Sequence, residues 1–143
     1  MELNARSAER KPNGQSIWAL INARSVCNKT ELFNEFLISN RVDLLLLVET
    51  WLTGVDEFDN AMLTQICSGG NHKFYNVPRG RKKKGGGIGL IVRNDIEVQV
   101  LASTHLKYDS FEHGQFNVSI RSQLFHLTIL YRPPSSSLSI FLK

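Results

Sequence analysis

Val42-Asp43-Leu44-Leu45-Leu46-Leu47-Val48-Glu49-Thr50-Trp51-Leu52 is an apolar run that stops abruptly at a carboxylate. Its brevity and its sharp polar end predict a strand buried on both faces. Glu49 at the rim of such a strand is costly unless a cation or a hydrogen-bond partner meets it. Strand rims are also where a rigid sheet can hold a metal-binding carboxylate in place. Taken alone, a Glu at a strand end is more often simply solvated. The balance shifts because other marked residues close other strands of the same chain.

Upstream, Ser16-Ile17-Trp18-Ala19-Leu20-Ile21-Asn22-Ala23-Arg24-Ser25 is a second apolar strand, closed by Asn22. Asn is depleted from strands and common where a chain turns, so Asn22 also reads as a loop residue bonded to its own backbone. Asn28 and Glu31 have the spacing of a capping box. Leu32, Phe33, Phe36 and Leu37 follow at helical spacing, with Asn40 as the stop. Downstream, Phe58, Met62 and Ile66 predict a second helix with Asp56 as its cap and Gly69-Gly70 as its end.

The remainder alternates at period two. Phe74 to Val77 and Gly87 to Arg93 are strand-like. Ile96, Val98 and Val100 form one apolar face, Phe116, Val118 and Ile120 another, and Phe125, Leu127 and Ile129 share a third with Tyr131. The expected fold class is α/β (α+β), with a later half built as an antiparallel meander. Tyr131, just before Pro133-Pro134, is either an aromatic plug with a wet hydroxyl or a functional phenol.

Charge is concentrated in one place. Arg79, Arg81, Lys82, Lys83 and Lys84 put five cations into six residues, more than the whole excess of 17 Lys and Arg over 13 Asp and Glu. A cationic hairpin tip between two strands suits phosphate contact, at roughly one counterion released per phosphate neutralised. A solvated loop or a nuclear-localisation patch is the plainer reading. Gly85-Gly86-Gly87 lacks the GKS/T signature and precedes a strand, which excludes a P-loop.

Composition limits the remaining classes. A chain of 143 residues with 42% hydrophobic content is one compact unit at most. No apolar run reaches the ~18 residues of a membrane span. Met1 to Gln15 is polar, without the apolar core of a signal peptide, and reads as a disordered leader. An intracellular protein, nuclear or cytoplasmic and not secreted, is expected, with Cys27 and Cys67 as reduced thiols. His72, His105, His113 and His126 are scattered, with no pair at ligand spacing, and are read as structural or solvated.

Four segments, Ile21 to Ser25, Val48 to Leu52, Lys84 to Arg93 and Leu127 to Pro134, resemble the endonuclease domain of LINE-type (non-LTR) retrotransposon polyproteins. That domain is a branch of the endonuclease/exonuclease/phosphatase superfamily. The likeness runs over about residues 16 to 137 and covers about the first half of the family domain. It implies half of a four-layer α/β sandwich, mostly antiparallel sheet with flanking helices, over 16–143. It also implies Mg²⁺-dependent hydrolysis of a DNA phosphodiester, with Mn²⁺ as an alternative ion. By resemblance Glu49 holds the metal, Asn22 orients the metal site, Tyr131 holds the phosphate, and Arg79, Arg81, Lys82, Lys83 and Lys84 face DNA. The family's second half carries a Gly-Asp-x-Asn motif and an Asp-His pair. Neither sequence occurs in the 143 residues, so catalysis by this chain alone is not expected. The strands of the meander are expected to leave an apolar sheet face open, for self-association or for a partner that covers it.

Overall fold

The computed structural model describes residues 14–79, 85–103 and 111–134. The leader expected over 1–15 lies mostly outside them, as do Arg81, Lys82, Lys83, Lys84 and His105.

The chain begins with β1 (Trp18–Asn22), crosses over through α1 (Thr30–Ser39) and returns in parallel as β2 (Leu44–Val48). Helix α2 (Asp56–Ile66) leads into β3 (His72–Val77) and β4 (Ile88–Arg93), which add antiparallel to give the sheet order β1-β2-β4-β3. A second sheet is the antiparallel meander β5 (Glu97–Ser103), β6 (Glu112–Ile120) and β7 (Gln123–Tyr131). Among the described residues one pairing is parallel and four are antiparallel.

Strand β2 shows why the central run contains no polar residue. Leu45 and Leu47 pack with Phe33, Leu37 and Ile66 beneath the two helices, while Leu44 and Val48 pack with Phe116, Val118 and Ile129 of the second sheet. A strand covered on both faces has no polar alternation. The layers are therefore helices, first sheet, second sheet, with one core in each gap.

The helix ends differ from the sequence reading. Lys29, not Asn28, occupies the N-cap of α1 and makes no side-chain cap; its ammonium instead donates to the carbonyls of Ala23 (2.6 Å) and Arg24 (3.0 Å). At the other end Asn40 does close the helix, its amide donating to Phe36 O at 2.9 Å. Helix α2 starts at Asp56 with Val55 in the capping position. Asp59, buried in the first turn, accepts from the Thr53 and Gly54 backbones at 2.9 and 2.7 Å, so the preceding loop is tied from inside the helix.

The open apolar face expected of the meander is not what the fold shows. Phe116, Val118 and Ile120 are buried, as is Ile96, because the first sheet covers them. The two sheets close a core between themselves. Within the sheets, apolar exposure falls on the edge strands β1, β5 and β7, with Val100 at the end of the expected face 45% exposed. On β1 and β7, Trp18 meets Phe125 edge to face at 5.7 Å, while Leu20 is 66% exposed and Leu130 61%.

Candidate active site

The C-terminal ends of β1 and β2, the start of β4 and the end of β7 converge at one end of the sandwich. The core fixes β2, so Glu49 emerges from its rim, half-buried. Its backbone is in the left-handed region, with φ 56, and Trp51 repeats this at φ 57. A non-glycine residue there is uncommon and persists where neighbours over-determine it. Those neighbours are visible on both sides. Ser25 and Val26, in the loop after β1, donate to the carbonyls of Glu49 (2.9 Å) and Thr50 (3.0 Å). Thr50 and Trp51 in turn donate to Gly87 O (3.2 Å) and Gly86 O (2.8 Å). Arg24 and Ser25 also have positive φ, so four such residues meet at this rim.

Tyr131 arrives from the other sheet. Its hydroxyl donates a short hydrogen bond to Glu49 Oε1, joining residues 82 apart in sequence. Burial, the bond to Glu49 and the charges of Glu49 and Glu112 push the phenol up to about 12. Tyr131 is thus a neutral donor across the physiological range. This contact answers the demand that a carboxylate on a buried strand's rim finds a partner.

Asn22 stands at the end of the neighbouring strand, in register with Val48 and so beside the Glu49 turn. Its amide oxygen accepts the Arg24 backbone N–H at 3.1 Å, the turn-forming role open to any Asn at a strand end. The structure therefore places Asn22 at the rim, exposed, and joins Glu49 to Tyr131 rather than to it.

Behind Tyr131 lies Glu112, directly opposite it across the β6–β7 ladder and only 8% exposed. Oε2 accepts the Gly87 N–H at 2.7 Å. Oε1 lies 3.0 Å from Arg79 Nε but out of line for a hydrogen bond, so it is buried with charge pairing alone. The approach needs bare glycine: a Cβ on Gly86 would lie 2.3 Å from Glu112 Oε1, and one on Gly87 2.5 Å from Thr50 Oγ1. Both glycines have positive φ, 73 and 91.

Two solved structures share this arrangement of elements. Truncated Caenorhabditis elegans TDP2 aligns with a TM-score of 0.51 and 16% identity, over 86% of this chain and 46% of that one. A D. rerio TDP2 humanized by 14 mutations aligns at 0.50 and 13%, over 78% and 47%. The fold is that of the endonuclease/exonuclease/phosphatase proteins. The chain spans about half the length of each of these two structures. No protein-family model and no curated protein matches it.

Within the endonuclease/exonuclease/phosphatase fold, the fit of a divalent cation rests on Glu49. Mg²⁺ keeps several waters and takes one or two carboxylates, and Glu49 offers one hard oxygen edge that is partly open. No group of three His, Cys, Asp or Glu that could hold a metal occurs among the described residues. Glu112 is not a second ligand, because the Arg79 guanidinium occupies its free oxygen. Of the five predicted DNA-facing cations, Arg79 is the one among the described residues, and it anchors inward to Glu112.

Sequence reasoning missed Glu112. The signal was present: residues 112, 116, 118 and 120 share one strand parity, so a carboxylate sits on an inward face that is otherwise apolar.

Proposed function

We propose that Glu49 and Tyr131 form the metal and phosphate edge of a phosphodiesterase site, of the DNA endonuclease kind that the Glu49-Thr50-Trp51-Leu52 and Tyr131-Arg132-Pro133-Pro134 segments resemble in LINE-type retrotransposons. The observation that carries the reading is the Tyr131–Glu49 hydrogen bond, which brings together the two sequence-singled residues at the mouth between the sheets. A bound Mg²⁺, or Mn²⁺, supplies stabilisation of charge on phosphoryl oxygens. Glu49 would hold it with a carboxylate oxygen, Asn22 shapes the adjacent rim, and the neutral Tyr131 hydroxyl would exchange its bond to Glu49 Oε1 for one donated to a phosphate oxygen. Arg81, Lys82, Lys83 and Lys84 would supply the attraction for a nucleic-acid backbone, while Arg79 is committed to Glu112.

The reading includes a deficit. No Gly-Asp-x-Asn and no Asp-His is present to supply a general base, a loss that typically costs 10²–10⁴-fold. We therefore expect Glu49-dependent metal binding without turnover. Purified 1–143 with Mg²⁺ should not nick supercoiled DNA above background, and a Mn²⁺ titration should lose its site in Glu49→Ala protein. Nicking that disappears in Glu49→Ala protein would overturn the inactive reading, and metal binding unaffected by that change would overturn the site.

A second reading, a nucleic-acid- or protein-binding remnant of a mobile element, draws on the placement of the whole positive excess in residues 79–84. Salt-dependent DNA binding that survives Glu49→Ala favours it.

A further inference from the structure

The Glu49 turn carries two left-handed residues whose strain must be balanced from outside, and the hydrogen bonds that balance it lead to one buried group. Thr50 and Trp51 hang from the carbonyls of Gly87 and Gly86. Gly87 in turn donates to Glu112 Oε2 at 2.7 Å. Glu112 is held opposite Tyr131 by the β6–β7 register and pairs with Arg79, at the root of the cationic segment. A carboxylate buried this far is costly unless it is paired and bonded, and here every partner belongs to the rim of the site. Asp43, the other buried carboxylate at an end of β2, contrasts with it. Asp43 accepts the Ile17 N–H at 2.7 Å and pairs with Arg93 at 2.5 Å, at the end of the strand away from Glu49.

We propose that Glu112 is a positioning residue for the Glu49–Tyr131 site: through its bond to Gly87 it sets the Glu49 turn, with Arg79 balancing its buried charge. The inference rests on the reading of Glu49 as the metal-holding edge, but its geometry is measurable without metal. Glycine at 86 and 87 is part of the same device, because any side chain there would push the rim away from the Glu112 carboxylate and from Thr50.

The test combines amide hydrogen exchange with Mn²⁺ titration on the 143-residue chain. Glu112→Gln keeps an acceptor for Gly87 and should leave exchange at Thr50, Trp51 and Gly87 near that of the parent. Glu112→Asp keeps the charge but withdraws the oxygens by one methylene. It should raise exchange at those three amides by about ten- to a hundredfold, the equivalent of losing a hydrogen bond to a charged group. Glu112→Ala should do the same and weaken Mn²⁺ binding about 10–100-fold, as for other groups that orient a ligand. Unchanged exchange at Thr50 and Trp51 in the Asp protein overturns the proposal. So does a rise spread evenly over β2, β4 and β6, which marks a merely structural carboxylate. A parent chain with no Glu49-dependent Mn²⁺ site overturns the metal reading instead, and the exchange result still decides Glu112.

Discussion

Two carboxylates bound the strand β2, and their contrast shows what a single residue's surroundings decide. Asp43 is enclosed by a backbone N–H and Arg93, so its role is complete within the fold. Glu49 is half-open and meets a phenol from the other sheet. Removing the phenolic oxygen with Tyr131→Phe leaves the ring packed but the Glu49 bond unmade. A hydrogen bond to a charged group contributes about 1.5–3 kcal/mol, so the expected outcome is a lower denaturant midpoint at unchanged slope. A midpoint equal to that of the parent would show that water replaces the hydroxyl at no cost. Cys67 gives a second residue-scale expectation. Burial pushes its thiol up from 9.0 to about 11. The folded state holds this proton more tightly than the unfolded state, so its contribution to stability is complete below pH 9 and is lost as pH rises toward 11. Little thiolate exists at pH 8, and iodoacetamide should label Cys67 slowly there and faster as the pH approaches 11. Rapid labelling at pH 8 in the native protein would count against the burial seen here.

Among the elements, β4 does the most for the site, and it does so before it becomes a strand. Gly86 and Gly87 carry the hydrogen bonds that support the Glu49 turn, in a backbone region that L side chains rarely adopt. Gly87→Ala combines that strain, about 1–3 kcal/mol, with a Cβ placed 2.5 Å from Thr50 Oγ1. Overpacking adds about 1–3 kcal/mol more. A thermal or urea melt should show a loss of a few kcal/mol, whereas Gly70→Ala, at a turn where a Cβ meets nothing within 4 Å, should cost only its backbone strain. Equal losses at the two positions would remove the packing argument. The segment preceding β4 carries the other element-scale expectation. Replacing Lys82, Lys83 and Lys84 with Ala should weaken DNA binding and lower the slope of log affinity against log salt by up to ~3. An unchanged slope assigns that charge to solvation.

For the molecule as a whole, the layering limits what can be exposed. The central strands β2 and β4 are covered on both faces, and Phe116, Val118 and Ile129 on the inner face of the second sheet are covered by the first. Apolar side chains remain open along the edge strands, with Leu20 on β1 and Leu124 and Leu130 on β7. An unprotected edge templates further pairing. Light scattering at micromolar concentration should therefore report dimers or larger species, and Leu20→Lys with Leu130→Lys should return the chain to a monomer; a parent that is already monodisperse overturns this. The amino-acid pattern by itself determined the element order, because hydrophobic period and short apolar runs depend only on neighbours along the chain. It also marked Glu49, Asn22 and Tyr131 as strand-end residues, since a polar group closing a buried strand is visible without coordinates. Three features depended on the tertiary structure: that Tyr131 meets Glu49 while Asn22 turns to its own loop, that the two sheets cover one another, and that Glu112 supports the rim. Each depends on which strands pair and which sheet faces which, and contacts between residues as far apart as 49 and 131 are set by packing rather than by local preference.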